Sequence, residues 1–275
     1  MISVVIATHN EEKNLEKCLL AVKDIADEIV IVDGESTDNT VKIAKRFSSK
    51  VIVTTNKSNF HINKQMAMDA AKGDLIFQLD ADEVVDEELH RFIKKMHNWV
   101  LEIKKALKLS STEKIHDPKS VNLPSAWQIN RKNWFLGRFL KKGGQYPDSV
   151  TRLYLFGQAH LPQKDVHEQI LTKGELAHAD GNLLHYSSPT FSDYLRKWNT
   201  YTSFRAEQWL NEKLSISFSN TLKYLFFQPI LTFFSIFIRH RGYLDGIPGF
   251  IFALMSGFYF SVAYLKLWES YKRII

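Results

Sequence analysis

The first third of the chain alternates between short apolar runs and helically spaced apolar positions. Residues 2–7 (ISVVIA), 28–32 (EIVIV), 51–53 (VIV) and 75–79 (LIFQL) form the runs, each closed by polar residues. A short unbroken aliphatic run suits a strand covered on both faces, as in a parallel sheet. Between the runs, Leu15, Cys18, Leu19 and Val22 predict a helix over 11–22. Val41, Ile43, Ala44 and Phe47 predict another, with Ser36 or Thr37 as its N-cap. Met66, Ala67, Ala70 and Ala71 predict a third, stopped by Gly73. This alternation specifies an open α/β sheet. Ligands of such sheets bind beyond the carboxyl ends of the strands. Thr8-His9-Asn10-Glu11, Asp33-Gly34 and Asp80-Ala81-Asp82 all fall at those ends.

Farther on, residues 86–108 read as a helix with Leu89, Phe92, Ile93, Met96 and Val100 on one side. Acids at its start suit the helix dipole, and Lys94, Lys95, Lys104, Lys105 and Lys108 read as a solvated face. Residues 110–124 are a polar surface loop, and 126–131 and 151–156 read as strands. In 194–211, Trp198, Tyr201, Thr202, Arg205 and Trp209 fall along one side of a helix. Such a face suits either core packing or a lipid interface. From residue 215 the character changes. Residues 222–238 are apolar, crossed by a polar stripe of Asn220, Gln228, Thr232, Ser235 and Arg239, which reads as an amphipathic helix kinked near Pro229. Residues 247–265 carry no charge over about 19 positions, near the minimum for spanning a bilayer. Two spans would put Arg239-His240-Arg241 on the far side, against the positive-inside tendency, so a pair lying in the membrane surface is expected. Lys266, Lys272 and Arg273 would meet anionic lipid there. The other reading is a helix pair packed on the catalytic domain or on a second subunit.

Composition narrows the class. The 275 residues, 45% of them hydrophobic, provide a core for one large domain with an appendage. A net charge of +6 points to acidic partners such as nucleotides, anionic lipid or nucleic acid. The single cysteine, Cys18, excludes an internal disulfide and reads as a buried, inert thiol. The opening run is too short, and lacks the basic leader, for a signal peptide.

The stretch 73–83 (GDLIFQLDADE) carries the strongest chemistry. Side chains alternate along a strand, so Asp80 and Asp82 point the same way if the extended backbone lasts through them. Adjacent carboxylates repel, and a protein keeps them chiefly where a cation or a sugar hydroxyl uses them. Oxygen ligands suit Mg²⁺ or Mn²⁺ on a diphosphate; the alternative is a solvated acidic turn.

Three stretches in order, 4–12 (VVIATHNEE), 30–40 (VIVDGESTDNT) and 73–83, resemble the nucleotide-binding half of a family 2 glycosyltransferase with the GT-A fold. That resemblance implies a Rossmann-like, mostly parallel sheet flanked by helices, followed here by a C-terminal apolar and amphipathic helical appendage. It implies that Asp33 and the turn Thr8, Asn10 and Glu11 hold the base and ribose of a nucleotide-sugar. Asp80 and Ala81 would lie at the ribose, and Asp82, with Asp80, would bind a divalent metal, Mg or Mn. Gly34 stands where many members have a second acid. Lys64 occupies a place where the family often has a basic residue near the nucleotide; its other reading is a solvated helix lysine.

The acceptor side is similar to the lipopolysaccharide-core branch of the family, on Gly143-Gly144-Gln145-Tyr146-Pro147-Asp148 followed by Thr151-Arg152-Leu153. Arg152 is then a candidate for gripping the leaving diphosphate, or else a structural partner of Asp148. Inverting transfer needs a base for the acceptor hydroxyl. The resemblance places it in Asp165-Val166-His167-Glu168, with Glu168 first and Asp165 and His167 as alternatives. His160, His178 and His185 show no metal-ligand spacing and read as structural or partly exposed. The Gln-x-x-Arg-Trp signature of processive synthases is absent, which implies one sugar per reaction. The expected layout is a catalytic domain over 1–214, with nucleotide-sugar binding in 1–83 and the acceptor side in 125–190, and a membrane-associating tail over 215–275. The expected partners are a UDP-hexose donor, a lipid-linked saccharide acceptor, the membrane and a second copy, with no nucleic acid. A polyprenyl-phosphate acceptor and a non-catalytic scaffold are the alternatives.

Overall fold

The computed structural model describes residues 1–48, 50–57, 59–115, 117–162 and 169–274. The chain packs as two units, one of Met1–Arg131 with Ser149–His185, the other of Lys132–Asp148 with Tyr186–Ile275.

In the first unit, β1 (Ile2–Thr8), β2 (Glu28–Asp33), β3 (Lys50–Val53) and β4 (Leu75–Asp80) run parallel in the order β3-β2-β1-β4. Their side chains split by parity between the two faces. Val4, Ile6, Leu75, Phe77 and Leu79 join one apolar cluster, while Val5, Val30, Val32 and Ile76 join another. The first face is covered by α1 (Leu15–Val22) and α4 (Glu87–Ala106), the second by α3 (His61–Ala70). Burial on both sides explains the unbroken runs, since neither face has a reason to be polar. The helix α2 (Thr40–Phe47) adds Ile43 and Ala44 to the first cluster.

Beyond β4 the pairing turns antiparallel. The sheet continues through β8 (Asp148–Leu155), β6 (Ala126–Phe135), β11 (Leu176–His185) and β5 (Glu83–Val85), with β8 antiparallel to β4 and β5 antiparallel to β11. The fold class is therefore the expected GT-A-like α/β arrangement with an apolar helical segment after it. Two strands were not legible in the apolar pattern. β5 has three residues and opens on a buried Glu83; β11 holds Ala177-His178-Ala179-Asp180-Gly181 at its centre. A short hairpin pairs β9 (Ala159–His160) with β10 (Leu171–Thr172).

Some local expectations are corrected. Helix α1 begins at Leu15, not Glu11, because Glu11 accepts at its carbonyl from the amides of Asn14 and Leu15 and serves as the turn before the helix. Ser36 and Thr37 do not cap α2; their side chains bond Asp33 and Asn10 instead. Asp86 does cap α4, accepting from Leu89 N at 3.0 Å. Lys104 is no solvated lysine. Its ammonium is buried on Asp74 Oδ1 at 2.8 Å, which also binds Lys114 at 3.2 Å, while Asp74 Oδ2 takes the N-terminal ammonium at 2.9 Å.

In the second unit, the end of β6 pairs with β7 (Arg138–Phe139). Helix α5 (Phe191–Asn211) is followed by a helix over Phe218–Arg239 and by α8 (Gly246–Ile274). The middle helix consists of α6 (Phe218–Leu222) and α7 (Gln228–Phe234), with π turns over Lys223–Phe227 and Ser235–Arg239. Both apolar helices are long and apolar enough to cross a membrane, at mean hydropathies of 1.5 and 1.6. Their polarity is turned inside out. Gln228, Thr232 and Ser235 are half-buried, whereas Phe227, Leu231 and Phe234 are 55–64% exposed. Most of the polar stripe turns inward, with Arg239 exposed at its end, and a band of apolar residues faces out.

Candidate active site

Parallel register sets the site. Thr8 stands beside Asp33, and Ala7 beside Asp80, so the ends of β1, β2 and β4 lie at one level. Two loops meet there. Asp33 is fully buried and accepts from Thr8 Oγ1 at 2.9 Å, Ser36 N at 2.8 Å and Ser36 Oγ at 2.6 Å. Asn10, in a left-handed conformation at φ 55°, donates its N–H to Ser36 Oγ at 2.8 Å and accepts from Thr37 N at 2.8 Å. His9 Nδ1 is 2.7 Å from the Gly34 carbonyl, and Glu11 N donates to Thr40 Oγ1 at 2.7 Å. Asp33 therefore fixes the loops after β1 and β2 with its own carboxylate. Gly34 has a packing reason. A Cβ on it would lie 3.2 Å from Asn56 Cα and 3.3 Å from both the Asn56 and Asn63 side chains.

At the end of β4 a carboxylate cluster is matched with cations. Asp80 is bonded to Lys64 from α3 and to Arg152 from β8. Arg152 also donates to Gln78 and, at 2.8 Å, to Glu83 Oε1. Glu83 is fully buried, accepts from Asp80 N at 3.0 Å through Oε2, and lies 3.5 Å from Arg131 through Oε1. Burial alone would raise the Asp80 pKa, but Arg152 and then Lys64 hold it far below the usual carboxylate range. Burial likewise opposes the charge on Arg152, and Asp80 and Glu83 more than restore it. Asp82 lies 3.5 Å from His185 Nε2, brought there by the pairing of Glu83 with His185 in β5 and β11. A cavity of about 140 Å³ opens beside Lys64, Gln78, Thr151 and Arg152. Cys18 is buried, as expected, with Sγ 3.6 Å from the Asp80 carbonyl. Burial first, then the nearby carboxylates of Glu83, Asp82 and Asp80, pushes its thiol pKa well up, so it stays a thiol.

Most of the expected site thus converges. Thr8, Asn10, Glu11 and Asp33 share the two-loop frame; Lys64, Asp80 and Arg152 form one ionic cluster; Ala81 is buried between Asp80 and Asp82. Arg152 is paired with Asp80 and Glu83, while Asp148 accepts from Asn133 Nδ2 at 3.1 Å. Glu168, Asp165 and His167 lie outside the described residues. Glu83 and His185 were not singled out for the site. Glu83 was visible as the third acid of its stretch, but its inward direction depends on β5. His185 has no local signal at all, because a distant strand delivers it.

A parallel α/β sheet with paired loops and acidic side chains at its strand ends is the arrangement of a GT-A-like fold. Residues 3–103 match the family model described as "Glycosyl transferase family 2". An uncharacterized glycosyltransferase of Rickettsia felis is 26% identical over 98% of this chain and 90% of its own length. The lipopolysaccharide core biosynthesis glycosyltransferase LpsC of Rhizobium meliloti is 25% identical over 98% of this chain and 92% of its own. Among solved structures, S. aureus TarS 1-349 aligns over 98% of this chain and 88% of that one, at a TM-score of 0.44 and 15% identity.

Proposed function

We propose that this glycosyltransferase moves a single hexose, with inversion, from a UDP-sugar to a lipid-linked saccharide of the lipopolysaccharide-core type. The observation that carries this is the convergence of Asp80, Asp82, Lys64 and Arg152 beside the Thr8–Asp33 frame at the strand ends. The likeness to LpsC along almost the whole chain supports the acceptor class. The loops 8–11 and 33–36 would take the base and ribose, and Lys64 and Arg152 supply positive charge for the diphosphate.

A divalent metal fits the donor set. Among the described residues no three His, Cys, Asp or Glu side chains gather into a ready-made site. Mg²⁺ or Mn²⁺ on a diphosphate needs only one or two protein carboxylates, since phosphate oxygens and water complete the shell. Asp82 would be the principal ligand, with Asp80 and His185 beside it. Bound there, the ion would neutralise charge on the departing nucleotide. Glu168 is proposed as the base that takes the acceptor proton, with Asp165 and His167 next in line.

The proposed location is the cytoplasmic face of the inner membrane, attached through residues 215–275. The outward Phe227, Leu231 and Phe234 support attachment, because an apolar face of this size demands an apolar neighbour. Catalysis and attachment would then belong to 1–214 and 215–275 respectively.

The test is a donor panel read by nucleotide release and product analysis with membrane lipid extract, a lipid-linked saccharide or a polyprenyl phosphate. Transfer to the saccharide, lost in Asp82→Ala and in excess chelator, is expected. Full activity in that variant would remove the metal assignment, and transfer to polyprenyl phosphate alone would reassign the acceptor. Glu168→Gln should keep donor binding and lose transfer by about 10²-fold or more. Unchanged turnover in that variant would pass the role to Asp165 or His167.

A further inference from the structure

The turn joining the two apolar helices is tied to a segment far away in sequence. Asp245, buried in that turn, accepts from the backbone N–H of Lys141 at 3.0 Å and of Lys142 at 2.7 Å, and lies 3.3 Å from the Arg138 guanidinium. Arg138 Nη1 also donates to the Asp245 carbonyl at 3.0 Å, and Gly143 N donates to the His240 carbonyl at 2.9 Å. Apart from the Arg138 guanidinium these bonds use backbone and one carboxylate, and Lys141, Lys142, Arg239 and Arg241 are exposed. Together with Arg138 they put five basic residues in the two segments, 138–142 and 239–241, that these bonds join. Tyr243, Leu244 and Ile247, all exposed, stand among them.

Next to this collar lies an apolar groove between the two helices. Its volume is about 360 Å³, and Leu225, Phe226, Ile230, Phe234, Phe250 and Leu254 line it, with no charged residue. The helices close up at one point, where a Cβ on Gly257 would sit 2.6 Å from the Pro229 carbonyl oxygen. From Phe234 to Arg239 is five residues, about 7–8 Å along a helix, so the groove ends one or two turns from the collar.

We propose that collar and groove together bind one phosphorylated membrane lipid, the cations taking its phosphate and the groove one of its hydrocarbon chains. Neither half alone selects that ligand; their adjacency does. A second copy of the chain complements the groove poorly. Residues 218–239 and 246–265 contain no Asp or Glu, Asp245 is already buried against Arg138, and Glu269 stands more than twenty residues along α8 from the turn, so a facing copy repeats the collar's positive charge with little acid to offset it. Phosphate oxygens offer that charge complement, and guanidinium groups grip them well. The site rests on the membrane attachment proposed above and goes beyond it by naming the lipid.

The experiment is flotation of the full chain with phosphatidylcholine vesicles, with and without phosphatidylglycerol. The K141Q/K142Q/R239Q variant keeps every backbone bond to Asp245, and circular dichroism checks its fold. The parent should bind both vesicles and bind those with phosphatidylglycerol more tightly. The variant should lose that increment, on the order of 100-fold, and keep its binding to phosphatidylcholine. A parent indifferent to phosphatidylglycerol, or a variant that keeps the increment, overturns the phosphate half and leaves attachment standing. Binding to neither vesicle means that attachment itself is wrong. For the groove, Leu254→Trp should lower the phospholipid phosphorus retained per chain after detergent purification. Unchanged retention overturns that half, and concentration-dependent self-association without lipid identifies a second copy as the occupant.

Discussion

At the scale of single residues, Arg152 decides the state of the site. It is almost fully buried, and it neutralises one carboxylate that is wholly buried, Glu83, and one that is partly open, Asp80. A buried pair is no great source of stability, but removing one partner strands the other's charge. Arg152→Gln is therefore expected to cost about 3–5 kcal/mol at neutral pH. The effect should depend on pH in a defined direction. Asp80 has a folded-state pKa held below its unfolded value, so its stabilising contribution is complete above the ordinary carboxylate range. It is lost only as pH falls through the depressed folded value. Without Arg152 the partly buried Asp80 keeps only Lys64 to hold its pKa down, so it takes up a proton at higher pH and the gap between variant and parent should narrow from pH 7 to pH about 5. Urea midpoints at the two pH values measure this, and a gap that widened on acidification would refute the charge account. The same ionic pairing bears on function. Arg152 and then Lys64 hold the Asp80 carboxylate well below the usual range, which favours its charged form at the site.

At the scale of elements, the parallel half was legible because burial on both faces writes itself into the sequence as unbroken aliphatic runs. Strands β1, β2 and β4 were found from those runs alone, and their polar ends marked the site. In the antiparallel half β6 and β8 were legible in part, but β5 and β11 were not. β5 has three residues and begins with an acid that is buried only because Arg152 and Arg131 meet it; β11 has polar residues through its middle. His185 could not be assigned to the site before that pairing was known. The buried role of Lys104 is invisible locally for a similar reason, since its partner Asp74 belongs to a distant turn. One β11 residue offers a direct check of this half. Gly181, at φ 88°, packs on the first turn of α4, where an added Cβ would fall 2.1 Å from Leu89 N. Backbone cannot yield as a side-chain tip can, and the positive φ adds strain for any other residue. Gly181→Ala should thus destabilise the protein by about 3 kcal/mol or more, read as a fall in the thermal or urea midpoint. A change within about 0.5 kcal/mol would mean that β11 and α4 do not pack this closely.

For the whole molecule, the membrane attachment proposed above makes a prediction about how the helix pair would lie. Length and hydropathy would permit spanning. The contacts of α8 oppose it. Lys266 donates to the Asn199 carbonyl at 2.7 Å, Thr202 Oγ1 at 2.8 Å and Ser203 Oγ at 2.8 Å, and Trp198 Nε1 donates to the Met255 carbonyl at 3.2 Å. Helix α5 thus runs beside the stretch 255–266, and α5 carries exposed Arg196, Glu207 and Gln208, which hydrocarbon would not accept. The other end of the pair is bonded to Lys141, Lys142 and Gly143, which belong to the polar stretch between β7 and β8. A pair held by water-facing polypeptide at its turn and along one flank has only its outward face left for lipid, so it should lie in one leaflet. Cation contacts weaken as salt screens them, whereas apolar insertion does not. The protein should therefore stay on membranes washed at high salt and come off in alkaline carbonate. Phe227→Gln with Leu231→Gln, both on the outward face, should shift it to the soluble fraction with an unchanged circular dichroism spectrum. Retention through carbonate would show that the helices cross after all. A parent chain soluble without detergent would show instead that its outward face is covered by protein.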